Sequence, residues 1–443
     1  MLDIRSLHRK EYEVVSQPGK KNDKDVKTGR NTANNAIVIA QAPGRILFLG
    51  EQGDFGSGLY LSAAIDRYVK TAVSARKDNS LRFFAANLGE RKRTTLVNLK
   101  YKREDRWANY VKVAIHVFIE LGVPLKGLDF TIAGDIPQQI GLASSSAIEI
   151  ASAVALRGFL RVKISDLELT KRLTASHSLF FGKNVNPVDY LVGFSAQKDH
   201  FLVVDESNLT VSKIKSPFSR SRYLLIDSRV PRMEVENEMN ARKEDLKAAL
   251  EMLSLNRDRA SSSLQSLPDL PASSASQFPS VLQASFREFA ATDLLESMGN
   301  FPEEIRRRSM HIVQEIRRIN DAGDCLVCSD LSGFSRMIFN SHESLRDLYE
   351  VSCPEIDWIV KRAQETEGVF GARMTGQGFG GSTYAIVKKE AVSEYRSRID
   401  DYERIFGFRP MIYEVKLSTG ARICAASSGT VKKKQNNRTL KKK

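Results

Sequence analysis

The segment GDIPQQIGLASSSA, residues 134 to 147, constrains the fold more than any other stretch of the chain. Before it, LDFTIAG (128 to 134) alternates apolar and polar residues as a half-buried strand does. After it, Ala147, Ile148, Ala151, Val154 and Ala155 recur at helical spacing. The strand therefore hands over to a helix through Gly141 and three adjacent serines. Glycine lets backbone approach a ligand closely. Ser144, Ser145 and Ser146 fall on the first helical turn, where amide N–H groups lack intrahelical acceptors and the dipole's positive end lies. That is a place for phosphate. An ordinary serine cap fits the same residues, and no GKS or GKT makes this a Walker loop, so the segment alone leaves both readings open.

Two further segments narrow the choice. MTGQGFGGST (374 to 383) holds Gly376, Gly378, Gly380 and Gly381 immediately before a strand-like run, the density expected where a loop must pass close to something. APGRILFLGEQGDFGSG (42 to 58) places Arg45 on one side of a short apolar run and Glu51 and Asp54 on the other. Carboxylates just past a strand end can accept sugar hydroxyls, and an arginine can meet phosphate. AIVIA (36 to 40) and ILFL (46 to 49) read as short strands around an APGR turn.

The surrounding elements alternate in type. Val111, Ala114, Val117, Phe118 and Leu121, with Trp107 and Tyr110, form one helical face ending at Gly122, and Ser165 with Glu168 is spaced as a capping box. HFLVVD, RYLLID, TYAIVK and MIYEVK read as strands, and Ile305, Ile312, Ile316 and Ile319 as a helix face. Mixed strands and helices in two lobes predict an α+β protein with a cleft between them. Residues 1 to 35 read as a polar arm without sustained period, and 260 to 280, rich in Ser and Pro, as a mobile loop or linker.

Composition excludes several alternatives. At 443 residues, 42% apolar and 27% charged, the chain is an ordinary globular mixture with no run long and apolar enough to cross a membrane and no signal-peptide core, so a cytoplasmic location is expected. Cys325, Cys328, Cys353 and Cys424 are too few for a disulfide scaffold; the CxxC at 325 to 328 has no second ligand pair for zinc and reads as two buried helix residues. Half of the +14 net charge sits in KKKQNNRTLKKK, residues 432 to 443, a solvated tail without the interleaved aromatic residues that nucleic-acid binding uses.

In this order, the three glycine-bearing segments resemble the GHMP kinases, and WANYVK (107 to 112), SAQKDHFLVVD (195 to 205), HIVQEIRRI (311 to 319) and SHESLRDLYEVSCPEIDWIV (341 to 360) are similar to galactokinase segments in particular. The resemblance spans about residues 38 to 418. It implies a two-lobed GHMP kinase fold: a ribosomal protein S5 domain 2-like N-terminal domain (36 to 255), a linker (256 to 300), a ferredoxin-like C-terminal domain (301 to 420) and a basic tail (421 to 443). It also implies transfer of the ATP γ-phosphoryl to the anomeric hydroxyl of a monosaccharide, galactose first, by a monomer using Mg²⁺.

By position, the resemblance makes Asp189 the catalytic aspartate and Arg45 the arginine that meets it and the phosphoryl. It makes Pro137, Gly141, Leu142, Ala143, Ser144, Ser145 and Ser146, with Gly376, Gly378 and Gly380, the ATP contacts, and Ser145 the Mg²⁺ ligand. Glu51, Gln52, Asp54, Asp189 and Met239 become the sugar contacts. Four positions depart from the family: Gln139 stands for a glycine, Gln52 for a histidine, Met239 for a tyrosine, and His177 for a magnesium-binding glutamate. A neutral imidazole is a poor ligand for a hard cation. The departures admit another hexose, a pentose or a uronic acid, and favour as the competing class a non-catalytic sugar and ATP sensor. Deleting residues 431 to 443 is expected to leave phosphoryl transfer unchanged while removing any salt-sensitive retention on nucleic acid; a fall in turnover on deletion would contradict the reading of the tail.

Overall fold

The computed structural model describes residues 3–12, 36–51, 58–138, 140–183, 185–231, 235–264, 286–288 and 298–426. Seven strands, β1 Ile37–Leu49, β2 Leu59–Ala75, β3 Ser80–Ala85, β4 Glu90–Thr95, β5 Leu128–Gly134, β6 His200–Asp205 and β7 Thr210–Lys215, form one sheet with the last strand of the described residues, β12 Arg422–Ala426. Its path is β12-β1-β2-β5-β3-β4, with β6 on the first part of the 17-residue β2 and β7 beyond it. Among the described strands of this sheet, the β3–β5 pairing alone is parallel. Helix α3, Ser144–Leu160, packs on β1 and β2 and on α2, Ala108–Glu120, beside α4, Asp166–Phe181, and α5, Val188–Ser195. Ser146 to Leu156 are all buried, so α3 is a central helix rather than an amphipathic one.

The second sheet has the order β11-β8-β10-β9, all antiparallel, from β8 Ser221–Asp227, β9 Val369–Thr375, β10 Ser382–Lys388 and β11 Met411–Val415. Between β8 and β9 lie helices α6 Val235–Leu264, α7 Glu303–Cys328, α8 Leu331–Asp347 and α9 Pro354–Gln364; between β10 and β11 lie α10 Val392–Ile399 and α11 Asp401–Phe406. A β-α-β-β-α-β order in an antiparallel sheet is the ferredoxin-like arrangement. The two lobes share one apolar core. Phe48 of β1 meets Phe201 of β6 at 4.9 Å and Tyr384 of β10 at 4.7 Å between ring centroids, and the Tyr384 hydroxyl donates to the Phe48 carbonyl.

Local signals hold where a single element decides them. LDFTIAG is β5, the Ser165 hydroxyl accepts from the Glu168 N–H at 3.1 Å, and Gly122 sits beyond α2 at φ 70°. At five places the structure departs from what the sequence predicts. The APGR turn is absent, because 37 to 49 is one strand: Pro43 lies opposite Tyr68 and Arg45 opposite Ala64, so Gly44 alone faces three residues of β2 across a bulge. The N-terminal arm includes α1, Ile4–Tyr12, which lies on β2 and β5 through Ile4 and His8, a pair too short to register as a period; residues 13 to 35 are outside the described residues. The domains do not divide at 255 and 420, since β8 is the first strand of the C-terminal sheet and β12 returns to β1. Cys325 is half-buried but Cys328 is exposed, because the helix turns it outward three residues on. Of the Ser/Pro-rich stretch, 260 to 264 continue α6 and 265 to 280 lie outside the described residues.

Two buried histidines make the fold acid-sensitive. His8 sits between the Thr131 and Ser74 hydroxyls, each at 2.9 Å, and burial pushes its imidazole down to about 4; burial likewise takes His311 to about 3. The unfolded chain takes up these protons near the ordinary value of about 6.5, so below that pH it binds more protons than the folded chain, and stability falls as pH drops from about 6.5 toward 4. For His8 the loss is on the order of 3 kcal/mol. His8→Asn is expected to reduce the loss of melting stability across this window, measured by thermal melts at half-unit pH steps; an unchanged slope would assign the titration elsewhere.

Candidate active site

The bulge in β1 aims Arg45 at the loop before α3, residues 140 to 143. A Cβ on Gly44 would meet the Leu142 carbonyl at 3.0 Å, so glycine there lets the loop before α3 lie on the strand. The Arg45 N–H donates to that same carbonyl at 3.1 Å, and its guanidinium donates through Nη1 to the Gly141 carbonyl at 2.6 Å. Through Nε it reaches Asp189 Oδ1 at 2.8 Å. The other aspartate oxygen accepts from the Ser146 hydroxyl at 2.9 Å. Asp189 sits in the first turn of α5 and Ser146 in that of α3, so two helix starts converge on one carboxylate.

The start of α3 is built without a side-chain cap. Its N-cap is Ala143, in the left-handed conformation at φ 57°, with no side chain to accept from the first amides. Ser144 and Ser145 are half-buried there, beside a Gly141 at φ 82°. Left-handed alanine is disfavoured, and an uncapped helix start leaves N–H donors for an incoming anion. The ordinary serine cap is not what these residues make: Ser146 is committed to Asp189, and Ser144 and Ser145 follow the N-cap. Leu142 is buried, and Pro137 is half-buried in the approach.

The second glycine-rich loop closes over the first. A Cβ on Gly141 would lie 3.0 Å from the Gly376 Cα, and the Ser382 hydroxyl donates to the Ile140 carbonyl at 2.7 Å. Gly376, Gly378 and Gly380 all take positive φ; a Cβ on Gly378 would strike the Val351 carbonyl at 2.5 Å. Glu51 stands at the same junction. Its carboxylate accepts from Arg373 Nη1 at 2.8 Å, from the Thr375 hydroxyl at 2.9 Å and from the Gly376 N–H, and the side chain is 4% exposed. Burial raises its carboxyl above the ordinary range, against the pull of Arg373 and Arg45.

Other expected site residues are distributed differently. Gln52, Asp54 and Gln139 lie outside the described residues. Met239 is buried on α6 in an apolar cluster that includes Leu246, Tyr349 and Met374. His177, on α4, places Nδ1 2.8 Å from Glu149 Oε1, and its ring packs on Phe181 and Tyr110. Glu149 is fully buried one turn along α3 from Ser145, and its second oxygen accepts from the Tyr190 hydroxyl. Burial raises the Glu149 carboxyl, opposed by His177. The sequence reading misses Glu149 and Tyr190. Their signal was a glutamate on an otherwise apolar helix and a tyrosine directly after the aspartate, neither meaningful without its partner.

Comparison with known proteins accords with this geometry. The profile of the GHMP kinases N terminal domain matches residues 109–194, that of GHMP kinases C terminal matches 313–402, and the galactokinase galactose-binding signature matches 29–75. A putative galactokinase of Treponema pallidum is 36% identical over 391 residues, covering 87% of this chain and 92% of the relative; a galactokinase of Roseiflexus is 31% identical, covering 86% and 92%. The crystal structure of Lactococcus lactis galactokinase complexed with galactose superposes with a TM-score of 0.76 at 25% identity, over 88% of this chain and 95% of that one. A mevalonate kinase at 18% identity and a TM-score of 0.58 shares the fold. With a paired arginine and aspartate beside two interlocked glycine-rich loops, and relatives aligned along nearly their whole length, this chain belongs to the galactokinase family of the GHMP kinases.

Proposed function

We propose that the chain transfers the γ-phosphoryl of ATP to the anomeric hydroxyl of galactose, with Asp189 and Arg45 at the point of transfer. The observation that carries this reading is the Arg45–Asp189 pair beside an uncapped helix start. Ser146 and Arg45 hold one aspartate oxygen each, which orients the carboxylate to align the sugar hydroxyl and take its proton late in a loose transition state. Among the described residues Arg45 Nη2 has no protein partner, and it faces charge developing on the transferred group. The amides of Ser144 and Ser145 receive the phosphate chain, and the loop from 376 to 381 covers it.

The residues suit a cation that arrives on the nucleotide and do not suit a resident one. Among the described residues no group of three His, Cys, Asp or Glu side chains could cage a metal. Both Asp189 oxygens are engaged, Glu149 is buried against Tyr190 and His177, and the half-buried hydroxyls of Ser144 and Ser145 are left at the helix start. Mg²⁺ held by phosphate oxygens, water and the Ser145 hydroxyl would balance phosphate charge. The His177–Glu149 pair also supports the sensor as second reading, because a histidine stands where the resemblance puts a magnesium-binding glutamate and its Nδ1 is taken up by Glu149.

We place the working chain as a monomer with sugar and ATP as its partners. No helix among the described residues is long and apolar enough to cross a membrane.

Asp189→Asn is expected to lower turnover by about a thousandfold or more while ATP still binds, since it removes the proton acceptor and keeps the shape. Unchanged turnover in a coupled ADP-release assay would reject the role. Across a panel of sugars with Mg²⁺, galactose is expected to give the highest kcat/KM, and Gln52→His to widen its lead. Met239→Tyr is the poorer probe, as it forces a larger ring into a packed cluster. ATP binding without turnover on any sugar would replace the enzyme by the sensor.

A further inference from the structure

Directly behind Asp189 lies a buried carboxylate that the transfer described above does not use. Elsewhere in the core a buried carboxylate meets guanidinium groups: Glu315 of α7 pairs with Arg318 at 2.8 Å and lies 3.5 Å from Arg373, and these cations hold it at about 2 against burial. Glu149 of α3 keeps different company. Its Oε1 meets Nδ1 of His177 on α4 at 2.8 Å, and its Oε2 accepts the hydroxyl of Tyr190 on α5, which itself lies 3.5 Å from the same imidazole nitrogen. Glu149 and Tyr190 are both fully buried. Burial raises the Tyr190 phenol well above its ordinary range, and Glu149, Asp189 and Tyr110 add to the rise, so the hydroxyl keeps its proton and remains a donor. Three helices thus meet at one carboxylate.

The spacing on α3 and α5 gives this meeting a purpose. Ser146 and Glu149, three residues apart, lie on one face of α3, while Asp189 and Tyr190 are consecutive on α5 and leave its axis about 100° apart. Ser146 holds Asp189 at 2.9 Å and Glu149 holds Tyr190, so the same two helices are joined at two points. The third helix steadies the second point: the His177 ring lies 4.5 Å from Phe181 and 6.2 Å from Tyr110 between centroids, and cannot swing from Glu149 without leaving this stack. Helix α5 has eight residues. One attachment leaves so short a helix free to roll about its axis, and two at different angles stop the roll. With a carboxylate about 5 to 6 Å from the axis, a roll of about 10° moves it by about 1 Å. A displacement of that size can cost about a hundredfold in rate.

We propose that Tyr190, Glu149 and His177 are positioning residues: they brace α5 against α3 and α4 and so set the aim of Asp189, which Ser146 and Arg45 alone do not fix. The brace acts through the fit of donors to one acceptor group, not through the charge of Glu149. It deepens the reading of Asp189 as proton acceptor and rests on it, while the placement of Asp189 is open to test without turnover.

The test uses the full chain carrying Tyr190→Phe, Glu149→Gln or His177→Leu, with melts to establish folding, kcat and KM for ATP and for galactose, and a crystal structure of each. Tyr190→Phe keeps the ring and leaves Glu149 Oε2 without its donor. It is expected to lower kcat by about tenfold or more with both KM values within about threefold, and to show Asp189 parted from Ser146 or Arg45. Glu149→Gln is the rescue: its amide oxygen accepts the Tyr190 hydroxyl, its amide N–H meets His177 Nδ1, and kcat is expected within about threefold of wild type. His177→Leu frees Oε1 and is expected to lower kcat by less; it takes over the test where Tyr190→Phe does not fold. Wild-type kcat in Tyr190→Phe, or an Asp189 that keeps both contacts there, overturns the proposal, as the same result does in His177→Leu where that variant stands in. Equal losses in Glu149→Gln and Tyr190→Phe also overturn it, by placing the effect in the charge. A wild-type chain that phosphorylates no sugar fails the kinase reading, and the position of Asp189 in the variant crystals still decides the brace.

Discussion

One guanidinium holds the site together. Arg45 reaches Asp189, 144 residues away in sequence, and the Gly141 carbonyl, 96 residues away, while its own amide binds the Leu142 carbonyl. Strand β1, the loop before α3 and the start of α5 are thus fixed by the same side chain. Arg45 anchors the loop by its carbonyls, and Ala143 leaves the start of α3 without a side-chain cap. A lysine could supply the charge, but from one compact nitrogen rather than from the planar fork that reaches Asp189 through Nε and Gly141 through Nη1. The bulge that turns Arg45 inward and the glycine that lets the loop settle are the backbone terms of the same arrangement.

Charge is buried twice near this point, in different ways. Around Glu51 and Glu315 carboxylates face guanidinium groups, which hold Glu315 at about 2 while burial still raises Glu51 against the pull of Arg373 and Arg45. Around Glu149 the partners are an imidazole and a phenol, so burial raises the carboxyl. The first cluster joins the lobes; the second backs the helices that carry Ser145 and Asp189. Both lie behind the cleft, which confines their influence to alignment of the groups in front.

What the sequence made legible follows range. The strand 128 to 134, the Ser165 cap and the glycines of 374 to 383 rest on neighbours within a few residues, and the structure places them as expected. The fold class was legible from the order of elements. The continuity of β1 was not, because proline and glycine mark a turn and a bulge equally well until the partner strand is known. Helix α1 escaped because a single buried pair, Ile4 and His8, is no period. Glu51 reads as an exposed carboxylate past a strand end; its burial depends on Arg373, 322 residues later, which no local pattern announces. Glu149 and Tyr190 share that limit.

The return of β12 to β1 has an outcome in the order of synthesis. Strands β1 to β7 are complete by residue 215, yet the outer side of β1 gains its neighbour only when residues 422 to 426 have been made. For the intervening two hundred residues a nascent chain displays an apolar strand with unpaired N–H and C=O groups, an edge that other chains can copy. The last strand is thus a late seal, and a chain truncated before it would retain the pieces of the cleft while leaving that edge open to aggregation.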